Sequence, residues 1–211
     1  MTILVIYGAV PATALGAPQL RENLLTLRNA WRDVGRTSNL AELVSGGTPF
    51  SMGLTQEFTD WESWAAAQDE GMPESVMEVS ANLPASGAIG LNMTTMAELP
   101  GLEVDSNSLP RGIMMTSRIK IHQGQATAAY NMMAKSKEIF TRLGGNVRVV
   151  TAVHAAEMGI IGFSNYLSSA KEGVEFTNKL MADPEWLMHW NDPARIGTSE
   201  VLAQTMYRFA D

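Results

Sequence analysis

The chain of 211 residues contains no cysteine. That absence removes disulfides, iron–sulfur ligation, thiolate zinc sites and cysteine nucleophiles together. Clustered positive charge is also lacking: 15 Lys and Arg stand against 22 Asp and Glu, the net charge is −7, and no run of basic residues occurs. Binding to a nucleic-acid backbone draws on clustered cations that release counterions, so no nucleic-acid partner is expected. No apolar run approaches the roughly 20 residues a membrane-spanning helix needs, and no membrane partner is expected either. The chain has no G-x-S-x-G elbow, no P-loop and no G-x-G-x-x-G after a strand. Serine hydrolases, NTPases and dinucleotide enzymes therefore recede. The three histidines, His122, His154 and His189, show neither H-x-H nor H-E-x-x-H spacing, so no metal site is expected.

What is present describes an ordered protein. Apolar residues make up 45% and charged residues 18%, and a chain of this length buries roughly two-thirds of its unfolded surface. The opening stretch ILVIYGAVPATALGA has the length of a signal-peptide core and a small-residue end at Ala12-Thr13-Ala14. Only Met1-Thr2 precede it, however, and the first basic residue is Arg21. Its β-branched and aromatic run Ile3 to Tyr7, stopped by Gly8 and Pro11, reads instead as a buried first strand, with a cytoplasmic location expected.

Shifting the chain by 109 residues brings its halves into register: Gly35 meets Gly144, Val44 meets Val153, Gly53 meets Gly162, and Trp31 meets Phe140. Leu20, Leu24, Leu27, Trp31 and Val34 recur at helical spacing, with Pro18 suited to the first turn and Gly35 to the cap. The shifted positions, Ala129, Met133, Ser136, Phe140 and Leu143, repeat that face except at Ser136. IMMTSRIKI (113–121) alternates apolar and polar residues as the counterpart of the opening strand. Two strand-like runs follow each helix (38–45 and 50–58; 146–154 and 158–166), then a helix broken by Pro-Glu, then a last strand. The order β-α-β-β-α-β occurs twice, which predicts an α+β fold of two ferredoxin-like repeats, 1–99 and 113–211, joined by a linker at 100–112. Each sheet would leave one face bare, and packing sheet to sheet makes a pseudo-dimeric barrel around a cavity.

That doubled order resembles the dimeric α/β-barrel superfamily in its tandem form. NKLMADPEWLMHWND (178–192) is similar to the second-helix region of NIPSNAP-like and antibiotic-biosynthesis-monooxygenase-like members. The resemblance implies a cavity for a small molecule and, if the protein is an enzyme, cofactor-independent oxygenation or proton-transfer isomerisation. It leaves haem open, since some tandem members hold it through one axial histidine, although the residues themselves require no cofactor.

The alternation of the 113–121 strand places Arg118, Lys120 and His122 on the face away from the helices, where Arg148 and His154 could join them. In the functional reading Arg118, Lys120 and Arg148 anchor an acidic ligand and Tyr7, His122 and His154 handle protons. Tyr7 is expected to face the same way as Arg118. In the competing reading these cations are solvated or paired with Glu42 and Glu57 of the other half. Trp186 and Trp190, one helical turn apart beside His189, could roof a planar ligand. Met132, Met133, Met181 and Met188 fall at helical spacings expected of core. The rival to a small-molecule role, enzymatic or not, is a non-catalytic binding or assembly module, and homo-oligomers are compatible with both.

Overall fold

The computed structural model describes residues 1–85 and 87–210, the side chains of 89–91 excepted. The first half runs β1 (Ile3–Pro11), α1 (Ala17–Asp33), β2 (Thr37–Ser45), β3 (Met52–Phe58), α2 (Trp61–Glu70), α3 (Glu74–Ala81) and β4 (Ala88–Glu98). The second runs β5 (Ile113–Ile121), α4 (Ala126–Arg142), β6 (Asn146–His154), β7 (Ile160–Leu167), α5 (Ala170–Ala182), α6 (Pro184–Trp190), α7 (Pro193–Thr198) and β8 (Ser199–Ala210). Local chemistry sets these limits. Pro18 lies in the first turn of α1, and the Asp60 carboxylate accepts from the Ser63 amide to cap α2. Gly35 and Gly144 follow the ends of α1 and α4 with φ of 79° and 96°, a conformation where a Cβ is strained.

The strands close into one antiparallel barrel in the order β1-β3-β2-β8-β5-β7-β6-β4. Each half contributes four neighbours, β4-β1-β3-β2 and β8-β5-β7-β6, the ferredoxin-like order. The two sheets face each other across the interior, and ladders β2–β8 and β4–β6 join their edges. Helices cover the outside. Leu20 and Leu24 of α1 pack with Leu40, Met52 and Leu54, while Met133 of α4 packs with Val147, Val149, Ile161 and Phe163.

Side chains fill the inside, as expected of an eight-stranded barrel. Leu4, Met96, Val150, Ala152 and Ile160 form an apolar plug, so the expected hollow between the sheets is occupied by packed side chains. Toward one end lies an ionic cluster: Arg148, 2% exposed, donates to Glu98 (3.1 Å) and Glu57 (3.4 Å), and its guanidinium lies 6.0 Å from the Tyr166 ring. Burial pulls the Arg148 pKa down, but Tyr166, Glu57 and Glu98 outweigh it and hold the charge more firmly than usual. Residues 99–112 cross this end of the barrel: Leu99 and Leu109 are buried, Arg148 also donates to Ser106, and Lys137 of α4 donates to the Leu102 carbonyl (2.6 Å).

Candidate functional site

The repeat offset that fits the helices fails by one residue at the first strand. Ile3 pairs with Phe58 and Ile113 with Leu167, so β1 and β5 are related by a shift one longer than that relating β3 and β7. A one-residue slip turns every side chain to the other face. The counterpart of Arg118 is therefore Gly8, which pairs with Gly53 as Arg118 pairs with Gly162. Tyr7 points outward instead, between the sheet and its helices with Val5, Phe58 and Trp64, which corrects the expectation that it shares the face of Arg118.

The predicted cationic anchors do not converge. Arg118 and Lys120 are both held by Glu157 of the β6–β7 hairpin (2.7 and 2.9 Å), and Lys120 also donates to the Met158 carbonyl. Arg148 is committed to Glu57 and Glu98 inside the barrel, so the cross-half pairing with Glu57 is realised and that with Glu42 is not: Glu42 pairs with Arg21 and Arg208. A buried guanidinium needs such partners, and once paired it has less to offer a ligand. His122, outside the β5 ladder, is tied through Nδ1 to the Gly197 carbonyl (3.0 Å). Trp186 packs on Phe140 of α4 (5.2 Å) and on Trp190 (5.3 Å), and Arg195 lies 4.0 Å over the Trp190 ring. The tryptophan pair thus belongs to the outer helical layer and roofs no space inside the barrel. Met133 is core as expected, whereas Met181 and Met188 are 61% and 70% exposed on the outer faces of α5 and α6.

Two predicted residues do come together, around a third that the sequence did not single out. A bulge between Thr95 and Met96, where β4 meets β6, pairs His154 with Thr95 and turns its ring outward. That ring stacks on Trp64 of α2, centroids 5.8 Å apart and planes 28° apart, and Trp64 packs in the same cluster as Tyr7. Burial raises the pKa of the Tyr7 phenol, so at neutral pH it is a proton donor. Beside it on β3, the Gln56 side chain is buried with Nε2 unpaired, Trp64 Nε1 is likewise buried without a partner, and Ser38 Oγ on β2 is a third such atom. Each unpaired buried donor costs about 1–3 kcal/mol, so three near one sheet face need an explanation. A tryptophan in a short helix, here beside Trp61, carries no sequence signal of this kind.

No protein-family model and no curated protein sequence matches the chain. Solved structures do. An anthrone oxidase-like protein superposes with a TM-score of 0.62 at 10% identity, over 100% of this chain and 92% of its own. A candidate monooxygenase from Lactobacillus acidophilus NCFM gives 0.61 at 8% identity, over 99% and 93%. The chain has the dimeric α/β-barrel fold in tandem form. A heme-binding protein from Thermus thermophilus shares this dimeric α/β-barrel arrangement more loosely, with a TM-score of 0.50 at 9% identity over 100% and 91%. Of the three histidines here, His189 Nε2 is engaged by Ser136 Oγ (2.8 Å), His154 lies flat on Trp64, and His122 is bonded through Nδ1 to the Gly197 carbonyl past the end of β5. Among the described residues no three His, Asp or Glu side chains gather as a metal site requires.

Proposed function

We propose that this dimeric α/β-barrel protein binds a small, largely apolar molecule bearing an acidic or phenolic group, held between the first sheet and α2. The observation that carries the reading is the pair of buried unpaired donors, Gln56 Nε2 and Trp64 Nε1, in the layer where Tyr7 and Trp64 pack against one apolar cluster. A ligand oxygen would satisfy those donors, and the aromatic faces of Tyr7 and Trp64 suit an apolar ring. In the enzymatic form of the proposal, His154 at the exposed rim takes a proton from the ligand and neutral Tyr7 donates a hydrogen bond to the charge that develops. Removal of a proton is the step shared by isomerisation and by oxygenation of an electron-rich ring, the chemistry suggested by the anthrone oxidase-like neighbour. Arg118, Lys120 and His122 then serve the rim of the barrel rather than this layer.

The experiment is a thermal-shift and calorimetric screen of aromatic acids and polycyclic phenols, anthrone included, with oxygen uptake measured for any binder. Binding that weakens about tenfold in both Gln56→Leu and Tyr7→Phe is the expected result. In the unliganded protein, Gln56→Leu should be neutral or stabilising because it removes an unpaired buried amide. Binders unaffected by either substitution, or a screen in which nothing binds, would remove the proposal.

A further inference from the structure

A separate feature lies outside the barrel, where the end of α1, the start of β2 and the segment before β5 meet around a cleft of about 340 Å³. Arg32, Arg36 and Arg111 line it with Thr37, Ser38 and Asn39. A protein with net charge −7 here brings Arg111 against Arg32 and Arg36, which lie four residues apart at the end of α1. Arg36 is balanced by Glu70 (3.1 Å) and lies 5.6 Å from the Phe58 ring. Arg32 and Arg111 have only neutral acceptors among the described residues: Arg32 donates to the Ser38 carbonyl (2.7 Å) and to Asn39 Oδ1 (3.1 Å), and Arg111 donates to that same Asn39 oxygen. One amide oxygen thus holds two guanidinium groups side by side. Among the described residues their other N–H groups have no hydrogen-bond acceptor.

Like charges drawn together cost energy unless an anion lies between them. The cost is visible in Arg32, whose pKa is lowered by burial and then by the nearby Arg28 and Arg111 charges. Ser38, whose backbone carbonyl accepts from Arg32, forms part of the wall of the cleft. Its neighbour Asn39 passes its other amide group to Glu57 (3.3 Å), so the pair of arginines is held in place from the barrel side.

We propose that this cleft is an anion site for a phosphate-class group, either inorganic phosphate or the phosphate of a small metabolite. A single carboxylate is satisfied by one guanidinium fork, whereas a tetrahedral dianion can accept from Arg32 and Arg111 together and bring Arg36 to its edge. The site is independent of the helix–sheet layer proposed above. Its residues come from α1, β2 and the connection, none of which carries Tyr7, Trp64 or His154.

Calorimetric titration with inorganic phosphate, with glycerol phosphate and with acetate at matched ionic strength tests the assignment, in the full chain and in Arg111→Gln. Saturable phosphate binding, weakened about tenfold or more in Arg111→Gln and unchanged in the control Arg21→Gln, is the expected outcome. Arg21 is paired with Glu42 and lies outside the cleft. Should Arg111→Gln fold poorly, Arg36→Gln is read in its place. Tighter binding of glycerol phosphate than of inorganic phosphate identifies a metabolite as the source, and the reverse identifies the free ion. Absence of saturable binding, a smaller loss in the arginine variant, or acetate binding as tightly as phosphate overturns the proposal.

Discussion

Arg148→Met tests the ionic interior of the barrel. The substitution keeps the length and the apolar stem of the side chain but strands Glu98, whose side chain is 1% exposed, and Glu57, at 12%. Removing one partner of a buried pair costs about 3–5 kcal/mol. Glu98 keeps only the Thr2 backbone N–H as a donor (2.9 Å), while Glu57 retains some water and an amide donor from Asn39, so a loss near 4 kcal/mol is about the central expectation. For a chain of this size each kcal/mol moves the midpoint by about 2–4 °C, giving a drop of about 8–16 °C by calorimetry. Replacing the three groups together, Arg148→Met with Glu57→Leu and Glu98→Leu, should recover most of the loss. A cost below about 1 kcal/mol, the value of a solvent-screened surface pair, would refute the reasoning.

Two further predictions concern the helical layer and a strand end. Burial first, and Arg195 second, lowers the pKa of His189, so the unfolded chain binds the extra proton more readily. Stability should therefore fall as pH drops below about 6.5, and urea titrations of His189→Gln should show less of that acid-side loss. Gly112→Ala would place a Cβ 1.9 Å from the Ser168 carbonyl oxygen, where Gly112 also bonds Leu167 and Phe209. It should cost about 2–3 kcal/mol by denaturant melts, against about 1 kcal/mol for Gly35→Ala, which meets no neighbour and suffers only its positive φ.

The doubled β-α-β-β-α-β order was legible because its signals are local. Alternation in β5, helical spacing in α1 and α4, and glycine after each of these helices all arise from residues within a few positions of one another. Facing was legible in β5 but not in β1. The loop before α4 is one residue shorter than the loop before α1, which breaks the offset and lines Tyr7 up with the wrong side of its partner strand. The cationic residues and one of their partners, Glu57, were visible in the sequence, while Glu157 and Glu98 were not, because these reach them only through strand pairing and the hairpin turn. Trp64 and Gln56 escaped notice for a related reason: an unpaired donor exists only once everything around it has been placed.

The two seams of the barrel have a consequence for how its stability responds to dilution. Ladders β2–β8 and β4–β6 each join one half of the chain to the other. In a barrel assembled from separate single-repeat subunits, equivalent seams would open by mass action as the protein became scarce. Here residues 99–112 hold the halves at a high effective concentration, so closure is first-order and independent of protein level. A covalent join also frees the halves from having to match. One can carry Tyr7 and Trp64 between its sheet and helices while the other has Ser117 at the strand position equivalent to Tyr7 and packs Phe176 in that layer, a division of labour that identical subunits cannot make.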